Sequence, residues 1–201
     1  MTASESIRFE TLPKQTSGSS APGWWGMILL LATEFTLFAS LIASYFYLRS
    51  GQPVWPPDGT KLPDLPIPLA MTGVLILSSV PMFWATHGIR KGNQTALRFG
   101  LLLSFLLGAT FIALQVWEYS REDSVFARNS YGSLFYTITS FHGAHVVVGL
   151  LFSLLVQIWA GMGVYSARRY AAVTNFALYW HFVDVVWLAV FTSLYITPRL
   201  W

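Results

Sequence analysis

The sequence predicts an all-α fold, a polytopic membrane bundle of five transmembrane helices with its amino terminus in the cytoplasm and its carboxyl terminus outside. Three observations lead there. Of 201 residues, 54% are hydrophobic and 10% charged, where a soluble domain carries about 25% charge. The hydrophobic residues gather into five stretches, each reaching the roughly 20 residues that a bilayer crossing needs. Lys and Arg are shared unevenly between the connectors, and basic loops stay on the cytoplasmic side.

Residues 1–23 scatter Glu5, Glu10 and Pro13 among Ser and Thr. They lack the compact basic and apolar regions of a signal peptide and read as a cytoplasmic tail. The first span, residues 24–48, opens on Trp24 and Trp25 and closes near Tyr45 and Tyr47, amphipathic rings that favour the headgroup layer. A Pro-rich connector runs from Ser50 to Gly59. In the second span, residues 66–89, Pro81 removes a backbone donor and predicts a kink, with Ser78 and Ser79 placed to satisfy the freed groups. After the turn Arg90-Lys91-Gly92-Asn93 comes the third span, residues 96–119, ending at Trp117 and Tyr119. The polar segment Arg121-Glu122-Asp123 leads to the fourth, residues 132–161, and the fifth covers residues 170–197. The length leaves no room for a separate soluble domain, so residues 24–201 form one membrane domain. No repeat points to an inverted-repeat transporter.

With alternating spans, one side holds seven basic residues (Arg8, Lys14, Arg90, Lys91, Arg98, Arg168, Arg169) and the other five (Arg49, Lys61, Arg121, Arg128, Arg199). The bias puts the amino terminus inside. Although the net charge is +3, no basic block exceeds two residues, which excludes a nucleic-acid partner. The absence of cysteine excludes disulfides, thiolate zinc sites, iron–sulfur clusters and thioether-linked haem.

An ionisable group in hydrocarbon costs at least a few kcal/mol unless neutral or paired. Few occur: Glu34 in span one, Glu118 near the end of span three, His142 and His145 in span four, His181 and Asp184 in span five, with His87 near the end of span two. Glu34 lies about ten residues into its span, roughly 15 Å deep, and calls for burial against protein. Two readings stay open for it, an interhelical hydrogen bond or a protonatable site that influences a proton path. His142 and His145 share a helix face, as do His181 and Asp184. Four scattered histidines do not readily make a haem, di-iron or copper centre. The expectation is instead an interhelical polar network, with His181 and Asp184 locking span five to a neighbour and Glu118 meeting an imidazole of span four. Such bonds contribute about 0.6–2 kcal/mol each.

Several blocks resemble subunit III of the haem-copper cytochrome c oxidases, over nearly the whole chain from Trp25 onward. Trp25-Gly26-Met27-Ile28-Leu29 followed by Thr33-Glu34 looks like that family's helix with the carbodiimide-reactive glutamate. Trp55-Pro56-Pro57-Asp58-Gly59 is similar to its external loop, and Leu114-Gln115-Val116-Trp117-Glu118-Tyr119 to its helix-ending Glu-Tyr segment. The most specific blocks are Phe141-His142-Gly143-Ala144-His145 and Tyr179-Trp180-His181-Phe182-Val183-Asp184-Val185-Val186-Trp187. Familiar members have seven helices. This chain begins where the third would start and so resembles the short bacterial form, with half of the family's V-shaped lipid cleft missing or supplied by another polypeptide. Many members carry two adjacent histidines where this chain has Thr86-His87, which leaves Arg168 and Arg169 as the candidate lipid-headgroup contacts.

The resemblance implies an accessory subunit of the bacterial plasma membrane that binds phospholipid and packs on the catalytic subunit I, whose haems and copper it does not share. It implies no catalytic residue and no metal in this chain. It leaves open whether the complex stands alone or within a larger respiratory assembly. Two rivals share the fold, subunit III of quinol oxidases and an oxidase-III-like protein of nitric oxide reductase systems. A proton-coupled transporter using Glu34 and Asp184, and a free-standing membrane metalloenzyme, are the rivals of other classes.

Overall fold

The computed structural model describes residues 22–57, 60, 62–121 and 129–200. The cytoplasmic tail expected over residues 1–23 falls almost wholly outside them, as do Lys61, Arg128 and the Asp58-Gly59 end of the loop motif.

Five helices are long and apolar enough to cross a membrane: α1 (Pro22–Ser50), α2 (Pro66–Arg90), α3 (Gln94–Arg121), α4 (Ser130–Gly161) and α5 (Ala171–Phe191). The first four contain the stretches expected for them, extended by a turn or less, while the fifth starts one residue later than expected, at Ala171, and departs at its end. There the α-helix gives way to a π-helical turn, Thr192–Ile196, and a short 3-10 turn, Thr197–Arg199. No β-strand occurs among the described residues.

Local chemistry sets the helix ends. Asn129 caps α4 by accepting the Gly132 amide at 2.7 Å, one of the donors a helix start leaves orphaned. Arg98, near the start of α3, donates to the Ala160 and Gly161 carbonyls that close α4, satisfying orphan acceptors with a cation where the helix dipole favours one. Gly92, at φ 77°, makes the turn from α2 to α3, a conformation glycine adopts without steric cost.

In lipid, apolar surface gives helices little reason to associate, so close backbone approach and interhelical hydrogen bonds must hold the bundle. α2 and α3 show the first. A methyl group on Gly88 would stand 2.4 Å from the Ala96 Cβ, and one on Gly100 2.5 Å from the Pro81 carbonyl. One turn further, Ser104 donates to the Ser78 carbonyl at 2.6 Å. The α-helix of α2 runs through Pro81 unbroken, and Ser78 bonds back to the Leu75 carbonyl at 2.7 Å. Ser79, expected to serve the backbone, instead turns to α5.

α5 is the centre of the bundle, in contact with α1, α2 and α4 and touching α3 where Trp180 lies on Gly108. Polar rungs tie it to α2: Trp187 Nε1 donates to Thr72 Oγ1 at 2.9 Å and Trp180 Nε1 to Ser78 Oγ at 2.9 Å, and Ser79, next to Ser78, reaches His181 and Asp184, which lie between the two tryptophans. α1 is peripheral. It buries only Phe38 and Tyr45, and its inward stripe runs Met27, Leu31, Glu34, Phe38, Leu41, Tyr45, the spacing of a single helical face. Glu34 is the one carboxyl group in that stripe.

Candidate functional site

Glu34 meets His145 across the α1–α4 seam, Oε2 to Nε2 at 2.8 Å. The other ring nitrogen, Nδ1, lies 2.7 Å from the Phe141 carbonyl, one turn earlier on α4. A carbonyl only accepts, so Nδ1 carries a hydrogen. That restricts the outer bond to two arrangements: a neutral carboxyl donating to a neutral imidazole, or an imidazolium donating to a carboxylate. Either way the bond between Glu34 and His145 holds one hydrogen. Phe38 stands edge-on to the His145 ring at 5.0 Å, so the imidazole is held between α1 and its own helix, while the Tyr179 hydroxyl of α5 donates to the His145 backbone carbonyl at 3.0 Å.

The pair is half-buried rather than enclosed, with 29% of the Glu34 side chain and 18% of His145 exposed. Both face a cleft of about 500 Å³ between α1, α4 and α5, whose other walls include Met27, Val148, Phe152, Trp159 and Phe176. The walls are almost wholly apolar, of a character that suits hydrocarbon chains.

Trp159 and Ala172 also line a second hollow of about 210 Å³ in the α4–α5 connection, beside Tyr165 and Arg169. The Tyr165 hydroxyl is buried without a hydrogen-bond partner, and burial pushes its phenol up from the ordinary value against the opposing charge of Arg169. Arg169 therefore stands at one end of the apolar cleft, while Arg168 is exposed on the same connection.

The other predicted polar residues make three separate arrangements. His142 is enclosed by Phe111, Trp187 and Phe38 and donates from Nε2 to the Val183 carbonyl at 3.2 Å. His181 and Asp184 join Ser79 of α2. Glu118, buried near the end of α3, accepts from the Tyr195 hydroxyl of the π-helical turn at 3.0 Å and not from an imidazole of span four. Register explains this. Gln115 pairs with the Thr139 carbonyl of antiparallel α4, so Glu118 stands level with about residue 136, and His142 is six residues or roughly 9 Å further along the helix. Replacing Tyr195 by phenylalanine is expected to cost about 0.6–2 kcal/mol, read as a lower thermal midpoint with the α-helical circular dichroism unchanged.

Sequence reasoning did not find the link from Ser79 to His181 and Asp184, Tyr195, or the link from Gln115 to Tyr119 and Thr139. Hydroxyls and amides are common enough in membrane helices that their presence alone marks no site.

A family model described as cytochrome c oxidase subunit III matches residues 15–199. Among curated relatives, cytochrome c oxidase subunit 3 of Thermostichus vulcanus is 36% identical over 176 residues, 87% of each chain. That of Locusta migratoria is 37% identical over 177 residues, 85% of this chain and 67% of its own, and the Homo sapiens protein is 37% identical over 178 residues, 85% and 68%. The chain belongs to the cytochrome c oxidase subunit III family. It is thus a multi-pass membrane component of an oxidoreductase complex, and the matches do not favour the quinol-oxidase and nitric-oxide-reductase alternatives. Subunits of this family bind no haem or copper, and no group of three or more potential metal ligands assembles among the described residues.

Proposed function

We propose that this subunit III is an accessory, non-redox component of a respiratory cytochrome c oxidase in a bacterial plasma membrane. In this reading it packs on the catalytic subunit I, presents its amino terminus and the Arg90, Lys91, Arg98, Arg168, Arg169 end to the cytoplasm, and sustains proton uptake during oxygen reduction. The tail over residues 1–23 and the single membrane domain over 24–201 follow from the same topology. The observation that carries the reading is the Glu34–His145 pair on the wall of an apolar cleft. A shared proton in a half-buried pair exchanges charge with little movement of atoms, which suits a group that tunes the local field and water beside a proton-uptake path. Phospholipid chains in the cleft, with Arg169 toward the headgroups, would keep that pair in a dry environment of fixed geometry.

The test is made on the purified oxidase. Glu34→Ala is expected to leave the haem spectrum of the complex intact and to change either proton pumping or the rate of inactivation during turnover. Glu34→Gln, which keeps a hydrogen bond to His145 but cannot release a proton, is expected to behave like Glu34→Ala if the proton is what matters. If turnover, pumping and inactivation are all unchanged in both variants, the pair is a structural tie between α1 and α4.

A further inference from the structure

A second proton-binding arrangement lies on the opposite side of α5. Ser79 Oγ stands 2.9 Å from His181 Nδ1 and donates to Asp184 Oδ2, while the two titratable groups themselves are 3.8 Å apart. The hydroxyl is therefore the only hydrogen-bonded bridge between them among the described residues. Asp184 is buried, with 10% of its side chain exposed and its Oδ1 lacking any hydrogen-bond partner. The His181 side chain, by contrast, is 40% exposed. It lies at the inner end of a groove of about 240 Å³ that runs along α2 and α5 past Leu178, Thr174 and His87 to Arg90 at the basic end of the bundle.

We propose that Ser79, His181 and Asp184 form a one-proton relay connecting that groove to the interior of the helix bundle. A serine hydroxyl donates one hydrogen while accepting another, and this allows two complete arrangements. In the first, His181 Nδ1–H donates to Ser79, whose own hydrogen goes to the Asp184 carboxylate. In the second, a protonated Asp184 donates to Ser79 and the hydroxyl hydrogen turns to a bare Nδ1. Conversion is balanced. An imidazolium protonated from the groove at Nε2 passes its Nδ1 proton to the serine oxygen, the serine hydrogen passes to Oδ2, and a neutral imidazole, an intact hydroxyl and a neutral carboxyl group remain.

Position supports a relay over a simple tie. His181 is ten residues into α5 and Ser79 eleven residues before the end of α2, which places the cluster roughly 15 Å from the basic end. A proton there needs a path from water, and in this proposal the groove, lined by His87, Thr86 and Thr174 beside apolar Trp24 and Phe83, is that path. Other titratable groups face elsewhere. Glu34 of α1 turns to His145, Tyr179 of α5 to the His145 carbonyl, His142 of α4 to the Val183 carbonyl, and Arg98 of α3 to the end of α4. Along the groove, the charged and titratable groups among the described residues are His87, Arg90 and the Tyr170 ring beneath the Arg90 guanidinium.

The experiment is infrared spectroscopy of the intact purified oxidase. The carboxyl stretch that Asp184→Asn removes from the pH-difference spectrum marks protonated Asp184, and its shift on transfer to heavy water times proton exchange. Exchange is expected to slow by about a hundredfold in Ser79→Ala and in His181→Phe, the scale of a positioned proton donor. It should return to the wild-type rate in Ser79→Thr, which restores a hydroxyl. Glu34→Gln should leave this band and its exchange unchanged, which separates the relay from the Glu34 pair. Absence of an Asp184 carboxyl band through the neutral range, or equal exchange in Ser79→Ala and the wild type, overturns the proposal. Should Asp184→Asn fail to assemble, Asp184→Glu, which keeps a carboxyl group but moves its stretch, assigns the band, and the comparison of Ser79→Ala with Ser79→Thr then decides it.

Discussion

Gly100→Leu is expected to drive α2 and α3 apart and to deplete this subunit from the purified complex. Even a single added methyl group would stand 2.5 Å from the Pro81 carbonyl oxygen, 2.8 Å from the Ala85 Cβ and 3.0 Å from the Ala85 amide nitrogen. Two of those three neighbours are backbone, so no side-chain rotation relieves the clash. Overpacking against side chains costs about 1–3 kcal/mol, and a clash with a helix backbone should lie at or above the top of that range. The Ser104 to Ser78 bond, one turn away, would be lengthened with it. Gly73→Leu provides the control. It adds the same apolar bulk to α2, but no atom lies within 4 Å of its added Cβ. The readouts are the amount of subunit retained on the oxidase and its thermal midpoint. Equal losses in the two variants would show that helix composition, and not the α2–α3 contact, governs assembly.

How much of this was legible in the sequence depends on the range of the interaction. The five spans were readable because each is set by some 20 neighbouring residues, and their order and approximate limits follow from hydropathy. The turn at Arg90-Lys91-Gly92-Asn93 is equally local. Helical spacing also put His181 and Asp184 on one face. What no local rule supplies is the partner. Glu34 and His145 are 111 positions apart, and Ser79 and Asp184 105 apart. Pairing them requires the relative height of two helices. The assignment of Glu118 to an imidazole failed on that point, because the height of α3 against α4 is fixed by Gln115 and Thr139. The π-helical turn that brings Tyr195 to Glu118 carries no clear signature in its residues. The family resemblance supplied the overall identity, and the cleft beside Glu34 became visible only once α1, α4 and α5 were assembled.

Trp180→Ala is expected to be the most damaging single truncation in the central helix. The indole is only 1% exposed and fills the space left by two glycines. An added Cβ on Gly108 of α3 would come within 2.5 Å of Trp180 Cη2, and one on Gly149 of α4 within 3.0 Å of Cζ3. Its Nε1 donates to Ser78 of α2. One side chain thus sets the spacing of four helices, and removal of such a ring costs about 3–5 kcal/mol. Trp180→Phe keeps much of the volume but loses the bond to Ser78, for an expected cost of about 0.6–2 kcal/mol. The decisive measurement is a double-mutant cycle with Gly108→Ala. Alone, the added methyl group meets the indole and should destabilise; with Trp180→Ala it enters the space the ring has left and should restore part of the loss. Residues in contact couple by about 0.5–3 kcal/mol, so the cycle should close well away from additivity. Additive thermal effects would mean that α3 and α5 are not held by this contact. Because Trp180 precedes His181 and its partner Ser78 precedes Ser79, loosening the wedge should also lengthen the bridge from Ser79 to His181 and slow exchange at Asp184. The packing of the central helix and the proton relay are therefore expected to fail together in Trp180→Ala, whereas Ser79→Ala should disable the relay while lowering stability only by the interhelical bonds it removes, about 0.6–2 kcal/mol each.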